Sequence, residues 1–509
     1  MPVHVISIVM FLFEMYNMDI AMDITKLTIS NSRKLLDTKQ LSAVELTNMY
    51  LDRIKTLDTQ IGSYLSICED KAIEQAQEAQ KLINSGNSSS LCGIPLSIKD
   101  NICIEGTKTT CASKMLEDFT SPYTATAVDK LIAHNAVILG KTNLDEFAMG
   151  GSTENSAFKT TRNPFDLDRV PGGSSGGSAA SVSASLALGS LGSDTGGSVR
   201  QPASFCGVVG MKPTYGLVSR YGLIAFASSF DQIGPIAKTV EDCAIILDSI
   251  TGHDAKDGTS LSFKNPSLYS SSVSEDINIK NLKIGLPKEY LTEGLNSEVR
   301  ASLYNSIASL EKLGAEIEEF SMPSLKYAIQ AYYLMSSAEA SSNLSRYDGV
   351  KYGYRADKCK NYQDLIGRTR AEGFGKEVKR RILLGTYALA SGYYDAYYKK
   401  ALKLRTLISN GFENAFTKYD IILHPTAPET AFKLGQNTDD PLTMYLADIY
   451  TVAVNIAGLP SISVPCGYDT NGLPIGLSFT GKPLGEHEIF KAAAAFEADF
   501  KINLRVPAI

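Results

Sequence analysis

The chain has 509 residues, 44% of them hydrophobic and 20% charged, a composition that excludes disorder, collagen and coiled coil and leaves an ordinary folded protein. Its 49 basic and 55 acidic residues give a formal charge of -6, so no global attraction draws it to a phosphate backbone, and nucleic acid is not a default ligand. The length allows one large domain or two to three average ones.

No stretch approaches the roughly 18 apolar residues that span a bilayer. Residues 5–13 (VISIVMFLF) lack a basic segment before them and are followed by Glu14 and Asp19, unlike a secretion signal. Translation is expected to begin at Met22, leaving residues 1–21 as an extension and 22–509 as a single domain in the cytoplasm. Residues 43–57 place Val44, Leu46, Met49, Tyr50, Ile54 and Leu57 on one stripe, which predicts a helix. A second helix is predicted over 70–83 from its Ala, Glu, Gln and Lys content, followed by a loop at 84–90 (NSGNSSS). Residues 94–98 (IPLSI) read as a short apolar strand with Lys99 and Asp100 at its end, and 137–139, 283–286 and 420–423 repeat the pattern. The Ser-rich segment 265–280 reads as an exposed excursion, and the Tyr-rich run 387–398 as a helix packed against its neighbours. Near the end, SISVPCGY and LPIGLSFTG flank DTNG at 469–472, whose Asn-Gly signals a hairpin. This alternation predicts an α/β fold with a mixed central sheet covered by helices on both faces.

The five histidines (His4, His134, His253, His424, His487) show no H-x-x-x-H spacing, so a His-built metal site is not expected. The eight cysteines include no C-x-x-C pair and read as free, buried thiols. Glycine points elsewhere: 13 of 40 fall between Gly150 and Gly216, and between Gly172 and Val199 the only charged residue is Asp194. So little charge over so long a stretch predicts buried backbone packed closely, with residues 178–188 as a tight helix. A phosphate loop would need a lysine after the glycines, and there is none. Gly172 to Gly176 matches G-x-S-x-G around Ser174, but NPFDLDRVP stands where that elbow needs a strand. Ser156 to Lys159 matches S-x-x-K without its companion motifs. A packing segment without chemistry also remains open. Ser198, after Thr195, Gly196 and Gly197 and before a helix start at VRQPASF, sits where backbone N–H groups converge and suits a nucleophile. With histidine scarce, its base would be a lysine made neutral by burial, and Lys99 is the candidate. An ordinary lysine is neutral at pH 7 only at a cost of about 4.6 kcal/mol, which burial must offset.

Three stretches taken together, GIPLSIKDN (93–101), PGGSSGGSAA (171–180) and GSDTGGSVRQPASFCG (192–207), resemble the amidase signature family, hydrolases with a Ser-cisSer-Lys triad. The resemblance runs from about residue 24 onward. It implies that Ser198 is the acylated nucleophile, that Ser174 relays the proton after a cis peptide bond, and that Lys99 is the terminal base. It also implies an oxyanion hole from the backbone N–H groups of Thr195, Gly196, Gly197 and Ser198.

The outer segments 145–158, 331–353, 373–401 and 444–467 are similar to the branch of that family whose members are glutaminase subunits of tRNA-dependent amidotransferases. The resemblance implies a subunit that hydrolyses glutamine without metal or organic cofactor. Ammonia would pass to a partner, the B subunit, which uses ATP and Mg to convert Glu-tRNA(Gln) to Gln-tRNA(Gln) and makes the main tRNA contact; the C subunit completes a heterotrimer. A glutamine's α-carboxylate and α-ammonium call for an arginine and an aspartate. By resemblance these are Arg381 and Asp448, with Tyr332 as a third contact. Arg380 stays open beside Arg381, because adjacent helix positions point about 100° apart. A stand-alone amidase of the same family, keeping the same triad, is the alternative.

Overall fold

The computed structural model describes residues 23–262, 268–273, 277–438, 440–500 and 507; the expected extension 1–21 lies outside them. The short apolar runs become strands of one mixed sheet: β1 (Tyr64–Ile67), β2 (Pro95–Lys99), β3 (Val137–Thr142), β4 (Gly189–Asp194), β5 (Val209–Lys212), β6 (Gln232–Ala237), β7 (Lys283–Pro287), β8 (Glu316–Phe320), β9 (Ile421–Pro425), β10 (Ser461–Tyr468) and β11 (Pro474–Gly481). Their order across the sheet is β1-β3-β2-β4-β6-β5-β10-β11-β9-β7-β8. β2 runs parallel to β3 and β4, and β7 to β8 and β9, while the other neighbours are antiparallel. Every residue of β2 to β6, β9 and β11 is buried. Successive strand residues point to opposite faces, so both faces of the sheet are covered. The edge strand β8 exposes Glu316, Glu318 and Glu319, charges that blunt pairing with another chain.

Local signals set the helices. The helix Ala43–Ile61 starts with a capping box, in which Ser42 Oγ accepts from Glu45 N at 3.1 Å and Ser42 N donates to Glu45 Oε2 at 2.9 Å. It ends at Gly62, with φ 71°. Leu46, Tyr50 and Ile54 are buried as expected, but Leu51 and Ile61 complete the stripe, and Val44, Met49 and Leu57 lie only half-buried at its flank. The second helix spans Glu69–Ser85, and β10 and β11 form the Asn-Gly hairpin. Among the described residues no helix is long and apolar enough to cross a membrane.

Two expectations are corrected. Residues 263–267 and 274–276 of the Ser-rich region lie outside the described residues, but Tyr269 within it is buried, 4.8 Å from the His487 ring, with its backbone N–H donating to Asp248 Oδ1 at 2.5 Å. An aromatic anchor the Ser-rich composition hid therefore pins that stretch. The Tyr-rich run packs inward only through the half-buried Tyr398: Tyr387, Tyr393 and Tyr397 are exposed and stack on one another, and the exposed Tyr394 stacks on Tyr398. Tyr387 stands in the last turn of the helix Lys376–Leu389, and Tyr393, Tyr394 and Tyr397 follow its end.

Candidate active site

Lys99 ends the buried strand β2, and there its Nζ lies 2.8 Å from Ser174 Oγ, 2.8 Å from Ser175 Oγ, 2.9 Å from Ser193 Oγ and 3.2 Å from Ser193 O. Ser174 and Ser175 precede the helix Gly176–Ser183, and Ser193 belongs to β4, the strand beside β2. Burial without a facing carboxylate pulls the Lys99 amine down to about 7, although the more distant Asp145, Asp194 and Asp231 act in the opposite sense. A neutral amine has two N–H donors and one lone pair. Ser175 Oγ already donates to Ser193 O at 3.1 Å, and Ser193 Oγ accepts from Asn101 Nδ2 at 2.9 Å. The amine's protons therefore suit Ser175 and Ser193, and its lone pair faces the Ser174 hydroxyl.

The bond between Gly173 and Ser174 is cis. A Cβ on Gly173 would come within 2.1 Å of Asp145 Oδ2, so only glycine lets the segment pass that carboxylate. Asp145, pushed up to about 6 by burial, accepts from the backbone N–H groups of Ser152, Thr153 and Asn155 and gathers that loop around itself.

The segment carrying Ser198 leaves β4 and enters the short helix Arg200–Phe205. Ser175 N donates to Ser198 O at 3.1 Å, which sets the two serine segments side by side. Ser198 keeps 8% of its surface exposed against 0% for Lys99 and Ser174, which places Ser198 outermost of the three. Asp194 is the post for this loop. Its carboxylate accepts from the N–H groups of Gly197 at 2.8 Å and Val199 at 3.1 Å and from Arg200 Nε and Nη2, both at 3.0 Å. Burial alone would raise the Asp194 carboxyl, but the Arg200 guanidinium holds it well below the usual range. Of the four expected oxyanion donors, the Gly197 N–H is thereby turned to Asp194. Gly197 has φ +132°, and a Cβ there would meet Thr451 Oγ1 at 2.4 Å.

Near this loop opens a cavity of about 170 Å³, lined among others by Gly151, Glu154, Arg380, Arg381, Tyr445 and Asp448. Arg381 is buried, its Nε donating to Glu377 Oε1 at 2.6 Å and its guanidinium lying 4.5 Å and 4.6 Å from the Tyr333 and Tyr445 ring centres. Tyr333 Oη donates to Asp448 Oδ2 at 2.6 Å. Burial pushes the Asp448 carboxyl up to about 7, opposed by that hydrogen bond and by Arg381. The cavity thus offers a fixed cation and a carboxylate joined by one tyrosine. It is tied to the Ser198 loop, since Thr451 N donates to Asp448 O at 3.0 Å and Thr451 Oγ1 to Gly196 O at 2.5 Å.

The family model described as Amidase matches residues 45–490. The chain belongs to the amidase family. This amidase is 80% identical over 488 residues to the A subunit of the glutamyl-tRNA(Gln) amidotransferase of Ruminiclostridium cellulolyticum, covering 96% of this chain and 100% of that one. It is 59% identical to the protein of the same name from Thermoanaerobacter pseudethanolicus, covering 96% and 99%. Among solved structures it matches the glutamyl-tRNA(Gln) amidotransferase A subunit of Thermotoga maritima at 44% identity and TM-score 0.77, covering 94% of this chain and 96% of that one. It also matches a peptide amidase from Stenotrophomonas maltophilia at 29% identity and TM-score 0.79, covering 95% and 98%.

Of the residues singled out in the amidase sequence, the fold brings Lys99 and Ser174 into hydrogen-bond contact and runs the Ser198 segment beside them. Arg381 and Asp448 line one cavity, with Arg380 less buried beside them and bound to the same Glu377. Tyr332 does not line that cavity; it is buried against the Ser198 loop, where a Cβ on Gly196 would lie 2.5 Å from its hydroxyl. Its neighbour Tyr333 takes the cavity wall instead. Sequence reasoning missed Tyr333, Glu377 and Tyr445. Glu377 alone left a signal, as an acid three and four residues before two arginines on a helix.

Proposed function

We propose that this amidase is the glutamine-hydrolysing subunit of a tRNA-dependent amidotransferase, working in the cytoplasm with the B and C subunits as partners. Its high identity to the A subunits of such enzymes supports the assignment to that branch, and the cavity carries the choice of substrate. A guanidinium and a carboxylate facing one small space match the α-carboxylate and α-ammonium of a free amino acid. An amidase that takes simple amides has no use for such a pair, which disfavours the stand-alone alternative.

In the proposed reaction, Ser198 Oγ attacks the side-chain amide carbon of glutamine while its proton passes through Ser174 Oγ to the neutral Lys99 Nζ. The oxyanion accepts hydrogen bonds from the N–H groups of Thr195, Gly196 and Ser198. As the tetrahedral species collapses, the C–N bond breaks, the proton returns from Lys99 through Ser174 to the leaving nitrogen, and ammonia departs from a γ-glutamyl ester. Water then attacks the ester along the same proton path and releases glutamate. Tyr332 packs behind Gly196 and holds the oxyanion loop toward the substrate. The chemistry needs no metal or organic cofactor in this chain; ATP and Mg belong to the B subunit, which also makes the main contact with tRNA.

The test is Ser198→Ala in the assembled enzyme. Glutamine-dependent amidation of Glu-tRNA(Gln) is expected to vanish, while amidation with added ammonium chloride survives. Glutamine-dependent product from that variant would overturn the nucleophile assignment.

A further inference from the structure

The helix Lys376–Leu389 has two unlike faces. Glu377, Val378, Arg381, Gly385 and Ala388 are buried, and this inner face carries the cavity's guanidinium. The outer face is apolar and bare: Leu383 is 70% exposed, Leu384 44% and Tyr387 47%. Tyr393 and Tyr397 extend the same surface, their ring centres 4.3 Å and 5.6 Å from that of Tyr387, and both are exposed. Single exposed apolar side chains need no explanation, but a contiguous patch of leucine and stacked tyrosine marks a surface that something covers. Folding did not use it: the helix buries its inner face on the helix Ala328–Asn343 and leaves this one in solvent.

The surroundings say what kind of partner fits. Of the charged residues between Lys376 and Leu407, Lys376, Lys379, Lys399, Lys400 and Lys403 are exposed against one exposed acid, Asp395, so this stretch presents a basic surface in a chain whose total charge is -6. A second copy paired about a two-fold axis would set these basic rims against each other. Nucleic acid would welcome the charge and the tyrosines, but Leu383 and Leu384 offer it neither stacking nor hydrogen bonds. An apolar protein face with an acidic border satisfies leucines, tyrosines and rim together, and exposed tyrosine is the residue type such interfaces favour.

We infer that the outer face of the helix Lys376–Leu389, continued by Tyr393 and Tyr397, is the docking surface for a partner subunit that presents an acidic-bordered apolar face. This rests on the amidotransferase reading above. Because Arg381 projects from the opposite side of the same helix, the partner sits on the back of the element that carries the cavity's cation.

The experiment reconstitutes the full chain with the purified B and C subunits and measures assembly by calorimetry and size-exclusion light scattering. Leu383→Glu with Tyr387→Glu is expected to weaken assembly at least tenfold while the circular dichroism and melting temperature of the free chain stay as in the wild type. Tyr304→Glu, an equally exposed tyrosine on the helix Ser297–Lys312, should assemble normally. Lys399→Glu with Lys400→Glu and Lys403→Glu should slow association at least threefold and flatten its salt dependence without relying on the apolar change. Wild-type affinity in both the apolar and the charge variants would overturn the docking surface and leave the proposed function standing. A wild-type chain that binds neither partner would defeat the amidotransferase reading itself. If the variants assemble normally but the assembled enzyme loses affinity for transcribed tRNA(Gln), the face belongs to RNA and the inference is wrong.

Discussion

The ionisation of Lys99 gives the sharpest prediction. Burial pulls its amine down to about 7 from 10.5, a difference of about 5 kcal/mol between the two protonation states. In the proposed mechanism only the neutral amine works. With an ordinary lysine the neutral fraction at pH 7 would be smaller by about 1,500-fold. Glutamine hydrolysis at saturating glutamine, followed as ammonia release, should therefore be half-maximal near pH 7, level off above about pH 8 and fall about tenfold per unit below pH 6. Lys99→Met should lower kcat by about 10²–10⁴-fold and lose that limb. Stability carries a second signature. Because the folded pKa lies below the unfolded one, the unfolded chain binds more protons between about pH 7 and 10.5, and stability rises with pH across that window. The gain from this one group approaches about 5 kcal/mol, reached above pH 10.5 and lost again as pH falls to 7. Urea unfolding of wild type and Lys99→Met at pH 7, 8 and 9 isolates it, since every other group is common to both. Parallel stability curves, or a kcat limb still rising above pH 9, would refute the buried neutral amine.

Other consequences follow from the same geometry. Arg381→Ala should raise KM for glutamine by about 10–150-fold, the worth of charge-assisted hydrogen bonds, with a smaller change in kcat. The Asp448 carboxyl, pushed up to about 7, holds an ammonium only when ionised, so KM for glutamine should climb as pH drops below 7 and Asp448→Asn should show a high KM that no longer depends on pH. Asp194→Ala leaves the buried Arg200 guanidinium without its carboxylate and frees the loop N–H groups, and urea denaturation should record a loss of about 3–5 kcal/mol. Gly197→Ala forces a Cβ into Thr451 at a backbone angle that costs about 1–3 kcal/mol, and its hydrolysis rate should collapse while the far-ultraviolet spectrum stays native.

Residues that act through their own chemistry were legible in the chain. A lysine closing an apolar strand, a serine after paired glycines at a helix start, and a shortage of histidine single out Lys99 and Ser198 as candidates before any fold is known, because burial and bare backbone leave marks in composition, whereas Ser174 entered only through the family resemblance. The short β runs and the Asn-Gly turn likewise gave the mixed sheet, since strand and turn preferences are local. Residues that act through their neighbours were not legible. Whether Tyr332 or Tyr333 faces the cavity depends on the rotation of one helix, and Arg380 and Arg381 differ only in depth. That Asp194 occupies the Gly197 N–H depends on where a loop closes, and that Tyr387, Tyr393 and Tyr397 face solvent depends on what the rest of the chain leaves uncovered. A sequence thus determines which groups can be buried and which backbone can bend. Only the packed structure decides what each buried group faces, because that is set by contacts between segments hundreds of residues apart.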